Sequence, residues 1–226
     1  MTKRNIYLIA GHGEDDGKMI RDVIRENGME GASAAYIGTA NGEHPMFFER
    51  MKEGLLAAGV EKVTLAPLVG RKRNVEKAKA AIRDAQVIFI SGGEVEDGMK
   101  GLPEDVRAAL WERYEAGALF IGISAGTIMM GKAWPHWDDE DNDFDNARLF
   151  GCIGFVPTVF DTHCEDEGWP ELKKAVELSP EGFTGYGIPA GGMVIYTPDG
   201  RMECTKPLDP YTNIGGKAVP GEGAEA

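Results

Sequence analysis

The sequence predicts an α/β fold, a three-layer sandwich in which helices cover both faces of a mostly parallel central sheet. Short apolar runs alternate with amphipathic segments through the first half of the chain. The runs are apolar on both faces, as strands must be in a sheet covered on both sides. Single helical segments separate them, which is what right-handed crossovers between parallel strands need.

Ile6-Tyr7-Leu8-Ile9-Ala10 reads as the first buried strand, with a helix over 17–27 after it. Ala34-Ala35-Tyr36-Ile37-Gly38 is the second, with a helix over 45–58. Val63-Thr64-Leu65-Ala66 is the third, and Asn74 is placed to cap a helix over 75–85 by accepting from a free first-turn N–H. Val87-Ile88-Phe89-Ile90 is the fourth; the helix over 103–116 opens on Pro103, whose missing N–H costs nothing at a first turn. Leu119-Phe120-Ile121-Gly122-Ile123 is the fifth, and residues 125–130 start another helix. After Lys132 the pattern changes to an acidic loop, a strand over 155–160 and a helix over 170–178. A hairpin then pairs 192–196 with 201–205 across Pro198-Asp199-Gly200. We read one α/β domain over residues 1–214. Residues 215–226, rich in Gly and Ala and without aromatics, read as a flexible tail.

Composition narrows the function classes. A chain of 226 residues buries enough surface to fold without disulfides or metal. A net charge of −13 argues against nucleic acid, whose phosphates are held by clustered Lys and Arg. The one basic run, Arg71-Lys72-Arg73, fits a solvated loop before a helix. Three cysteines, Cys152, Cys164 and Cys204, are too few and too irregular for a disulfide framework or a four-ligand zinc site, and an odd count suits a reducing compartment. The apolar run after Lys3-Arg4 is too short for a leader or a membrane span. A cytoplasmic protein with no membrane or cofactor requirement is expected; apolar residues near the hairpin leave a homodimer as an option.

Ligands of open α/β sheets bind beyond the carboxyl ends of the strands. The fifth strand runs into Gly122-Ile123-Ser124-Ala125-Gly126 and straight into a helix, the context that a Gly-x-Ser-x-Gly nucleophile turn requires. Small flanking residues let the backbone pass close by, and the Ala125 N–H points to where an oxyanion would form. The fourth strand ends in Ser91-Gly92-Gly93, which makes the Gly93 N–H the second candidate donor. Gly92 and Glu94 beside it are candidates for substrate contact. Taken alone, Gly-Gly is equally a plain tight turn.

A serine hydroxyl needs a base to take its proton. Of the four histidines, His163 follows a predicted strand in Val159-Phe160-Asp161-Thr162-His163 and is the candidate base. His12, at the end of the first strand, is the rival. His136 lies by the acidic loop, and His44 before Pro45 reads as a helix-entry residue. The acidic loop offers several carboxylates for the third role. Its alternation of Asp139, Asp141, Asp143 and Asp145 invites a calcium reading. That reading fails, because the sixth and twelfth positions hold Phe144 and Phe150, or Asn146 and Cys152, where Gly and Glu are needed.

Together, Ser91-Gly92-Gly93, Gly122-Ile123-Ser124-Ala125-Gly126, the His163 segment and Gly185-Tyr186-Gly187-Ile188-Pro189 resemble the peptidase S51 group, which includes dipeptidase E and cyanophycinase. The resemblance implies a class I glutamine-amidotransferase-like (flavodoxin-like) sandwich and a small peptide substrate cut beside aspartate. It implies Ser124 as nucleophile, His163 as base, Gly93 and Ala125 as oxyanion donors, and an acid that falls on Asp139, with Asp138 one residue away. Three positions depart from the family pattern: Glu94 where Asn is usual, Ala190 where an acidic residue commonly follows, and Cys164-Glu165-Asp166-Glu167 where cyanophycinase-like members carry arginines. An aspartyl pocket wants cations, so these carboxylates point to a cationic or neutral substrate. A serine esterase on the same turn, or a silent binding relative suggested by Ala190, are the alternatives.

Overall fold

In the computed structural model, which describes residues 2–138 and 146–221, strands and helices alternate as the hydrophobic pattern requires. The first half runs β1 (Ile6–Ile9), α1 (Asp16–Glu26), β2 (Ser33–Ile37), α2 (Pro45–Ala57), β3 (Lys62–Leu65), α3 (Val75–Asp84) and β4 (Val87–Ile90). It continues through α4 (Val95–Lys100), α5 (Glu104–Glu115), β5 (Leu119–Ile123) and α6 (Ala125–Met130). The second half holds β6 (Ala133–His136), β7 (Arg148–Gly151), β8 (Phe160–Thr162), α7 (Pro170–Glu177) and β9 (Thr184–Ile188). It closes with β10 (Met193–Tyr196), β11 (Met202–Cys204), β12 (Asp209–Ile214) and β13 (Lys217–Pro220).

The central sheet has seven strands in the order β11-β10-β1-β5-β4-β2-β3. The five from β1 to β3 are parallel; β10 and β11 add antiparallel at one edge. Alternation along each strand sends side chains to opposite layers. Ile6 and Leu8 of β1 join Ile88, Ile90 and Phe120 in one core, while Tyr7 and Ile9 join Val87, Phe89, Leu119 and Ile121 in the other. This two-sided burial is why these strands read as unbroken apolar runs. Asn74 caps α3 as its sequence position suggested, accepting from the Lys77 N–H at 2.9 Å. Among the described residues no helix is long and apolar enough to cross a membrane.

The second half departs from expectation. A four-stranded sheet, β13-β12-β9-β8, stands beside the main one, and β6 pairs with β7 as a separate hairpin. Residues 217–220, expected in a loose tail, form β13 against β12, with Ala218 and Val219 opposite Asn213 and Thr212. Gly215 and Gly216, at φ 61° and 77°, make the turn between them. The strand expected over 155–160 is instead Phe160–Thr162. Phe155 leaves the sheet direction and packs its ring 4.7 Å from Trp111 and 4.8 Å from Phe120, so residues before 160 serve the core. The Gly-Tyr-Gly-Ile segment is β9, and its glycines are packing devices. A Cβ at Gly187 would lie 2.6 Å from the Trp169 ring, which lies buried against the strand and donates from Nε1 to Asp209 at 2.9 Å.

Candidate active site

Ser124 occupies the bend between β5 and α6 at φ 53° and ψ −126°. For a serine that conformation costs on the order of 1–3 kcal/mol and persists only where neighbours impose it. The neighbours are clear. The Ser124 N–H and the Thr127 hydroxyl both donate to the Ile9 carbonyl, at 3.0 and 2.8 Å, which ties the bend to the end of β1. The start of α6 passes so close to β4 that a Cβ at Gly126 would lie 2.1 Å from the Ile90 carbonyl oxygen. The last glycine of the Gly-x-Ser-x-Gly pattern is therefore a steric requirement.

The Ser124 hydroxyl and His163 Nε2 share a hydrogen bond of 2.9 Å. His163 follows β8 of the smaller sheet, and its N–H donates to the Ile188 carbonyl of β9 at 3.0 Å, so strand pairing sets its place. Burial, helped by the charge of His12, lowers the His163 imidazole from its ordinary value. The lowered value favours the neutral ring, the form that can take the serine proton. The His12 ring, the rival base, stacks on it with centroids 4.0 Å apart and planes 20° from parallel. Glu165 and Asp16 are the carboxylates whose charge favours a protonated His163.

The other sequence candidates divide. Ala125 is the first residue of α6, so its N–H has no partner within the helix. Gly93, at φ 139°, lines the same cavity as Ala125, and a Cβ there would lie 2.1 Å from the Ala40 carbonyl oxygen. Gly93, Ser124, Ala125, His163 and Glu94 line one cavity of about 510 Å³, and Gly92 lines a second of about 530 Å³ that shares Gly93 and Ser124 with the first. His44 caps α2, accepting from the Met46 N–H at 3.3 Å, the helix-entry role expected of it. His136 is held by Glu96 and Asp138, at 2.6 and 2.8 Å, and both carboxylates raise its pKa. Asp139 lies outside the described residues, as do 140–145. Its neighbour Asp138 is exposed and committed to Arg148 and His136, which hold its carboxyl down at about 2.

Some functional groups had no readable motif. Asn41 Nδ2 donates to Ser91 Oγ, the Gly92 carbonyl and Tyr36 Oη at 3.0, 3.1 and 3.1 Å, which pins the turn after β4. The only signal was its place after a strand end, among Gly38-Thr39-Ala40-Asn41-Gly42. Asp161, Cys164 and Glu171 bring one donor atom each within 4.8 Å of one another in the first cavity, and that set suits a divalent metal.

A model of peptidase family S51 matches residues 6–203. The chain belongs to peptidase family S51. This S51 chain is therefore a serine peptidase. Its fold matches that of a peptidase from an acI-B1 Actinobacterium, with a TM-score of 0.74 at 14% identity over 99% of this chain and 97% of that one. It also matches a candidate peptidase E protein from Listeria monocytogenes EGD-e, with a TM-score of 0.62 at 16% identity over 91% of this chain and 99% of that one. No curated protein matches the sequence.

Asp161 gives this S51 peptidase a pH-dependent stability. Burial pushes its carboxyl up to about 7. The folded state therefore keeps the proton where the unfolded state has lost it, and stability falls as pH rises from about 4 through 7. Asp161→Asn removes that slope. Thermal unfolding should show the variant gaining on the native protein between pH 5 and pH 8, by an amount on the order of a few kcal/mol. A constant difference across that range would contradict the assignment.

Proposed function

We propose that the protein cleaves a small peptide, as dipeptidase E does, through an acyl-enzyme on Ser124 with His163 as the base. The observation that carries this reading is the 2.9 Å hydrogen bond from a strained, cavity-facing serine to a half-buried imidazole. Ser124 Oγ attacks the scissile carbonyl carbon while His163 Nε2 takes the hydroxyl proton. The carbonyl oxygen becomes an oxyanion held by the N–H groups of Gly93 and Ala125. The intermediate collapses, the C–N bond breaks, and His163 returns its proton to the leaving amine. Water then attacks the Ser124 ester, again losing a proton to His163, and the acid product leaves with Ser124 restored. Asp16 and Glu165 offset the imidazolium charge that forms twice per cycle.

Stoichiometric labelling by a fluorophosphonate, lost in Ser124→Ala, tests the nucleophile. Hydrolysis of a dipeptide panel, set against p-nitrophenyl acetate, separates a peptidase from an esterase. A native protein that takes no label would overturn the mechanism.

The base has a pH signature. The lowered His163 value keeps the imidazole neutral further into acid, so kcat/KM should fall only below the ordinary histidine range. Removing the His12 charge in His12→Ala lets the value rise, and the acid limb should move to higher pH. An acid limb that stays put, or moves down, would count against the stacked pair acting in this way.

A further inference from the structure

The cavity that holds the Ser124 hydroxyl, the His163 ring and both candidate oxyanion donors is built for positive charge at its other end. Glu94, Asp161, Glu167 and Glu171 line it, and no Lys or Arg is among its described lining residues. Glu96 also faces it but is already paired with Lys100 at 2.5 Å and His136 at 2.6 Å. Asp161 is the telling group. It is 5% exposed, and one of its oxygens accepts the Thr162 N–H at 2.8 Å. Its other oxygen is buried without a partner at full hydrogen-bond geometry, although the Leu172 N–H comes near enough to the carboxyl to lower its pKa against the effect of burial. A buried carboxyl of this kind keeps its proton while it is unliganded and ionises when a cation meets the free oxygen. Glu171, half-buried beside it, is raised by burial and then by the charges of Glu167 and Glu94, so the cluster repels itself.

The lining of the same cavity includes Ile128 and Trp134, apolar surface suited to the methylene stem of a long basic side chain. A ligand held by Asp161 and Glu171 sits in the same cavity as Gly93 and Ala125, whose N–H groups are the candidate oxyanion donors. In the proposed acyl-enzyme the residue that stays on Ser124 in this cavity is the acyl residue, so the cation is assigned to it. We infer that this residue carries a basic side chain, lysyl or arginyl, whose cation is received by Asp161, Glu171 and Glu94. The inference rests on the reading of Ser124 as the nucleophile and adds the substrate class.

Aminoacyl p-nitroanilides of Arg, Lys, Ala and Asp, with and without an N-acetyl group, test it. Fluorophosphonate labelling of the same preparation reads Ser124 separately. The expected result is labelling together with kcat/KM for Arg and Lys at least tenfold above Ala and a hundredfold above Asp, kept after acetylation. Glu171→Gln should cut the Arg-to-Ala ratio about tenfold, and Glu171→Lys should turn the preference toward Asp. Should Glu171 variants fail to fold, Glu94→Gln, on an exposed residue, should lower the same ratio. Labelling with no preference for basic residues would overturn the substrate class and leave the nucleophile standing. A preference that acetylation abolishes would place the cation on the α-amine and overturn the side-chain assignment. Without labelling, the nucleophile reading falls, and binding of argininamide over alaninamide to Ser124→Ala, measured by calorimetry, decides the cation site alone. Zinc that raises the melting temperature of the native protein, but not of Asp161→Asn, and that blocks argininamide binding would show a metal site and overturn the inference.

Discussion

Peptide turnover by Ser124→Ala is expected to fall by on the order of 10⁴- to 10⁶-fold, the range that loss of a nucleophile costs in serine hydrolases. The reason is that the acyl-enzyme route disappears while binding and the oxyanion donors remain. His163→Ala should cost nearly as much, and the double variant little more than either single, since the two side chains act as one unit through their 2.9 Å bond. Additive losses in the double variant would mean that they do not. Stability gives an independent reading of the same bend. Ser124→Gly should unfold later than Ser124→Ala by about 1–2 kcal/mol in urea, because glycine adopts φ 53° without a Cβ penalty. Equal stabilities would show that the bend is not strained.

Gly126→Ala carries the second large effect, this time on the fold. The new Cβ would lie 2.1 Å from the Ile90 carbonyl oxygen and 3.0 Å from that of Ser91. Both are backbone atoms of a central strand and the turn after it, so neither can swing aside as a flexible side chain would. We expect a loss of about 3 kcal/mol or more, seen as a melting temperature lower by roughly 6–12 °C. Fluorophosphonate labelling should fall with it, because any relief must move Ser124 away from Gly93. A variant that melts and labels like the native protein would show that β4 and α6 have slack at this contact.

The parallel half of the fold was legible because each strand is buried on both faces. Val87-Ile88-Phe89-Ile90 needs no context to read as such a strand. The short helix Val95–Lys100 was not legible, since six residues with Gly98 in the middle show no helical period. Its glycine is explained only by a neighbour distant in sequence, Met129, whose sulfur would lie 2.5 Å from a Cβ there. The strand Lys217–Pro220 was missed for a related reason. Its residues are small or polar, and what orders them is pairing with β12 rather than any apolar pattern of their own.

Local sterics wrote the serine bend into the chain. A serine on so sharp a bend needs small neighbours wherever it occurs, so Gly122-Ile123-Ser124-Ala125-Gly126 announced itself without a fold. The sequence by itself also determined the layered architecture, through runs that only a doubly covered sheet can bury. Tertiary structure alone decided which imidazole meets the hydroxyl, by hanging His163 from a second sheet whose strands are spread over the last third of the chain. It likewise decided that Asp161 and Glu171 face one cavity, ten positions apart on a strand and a helix. Charge and burial act through space, so their effect on a group is set by neighbours that sequence order does not reveal.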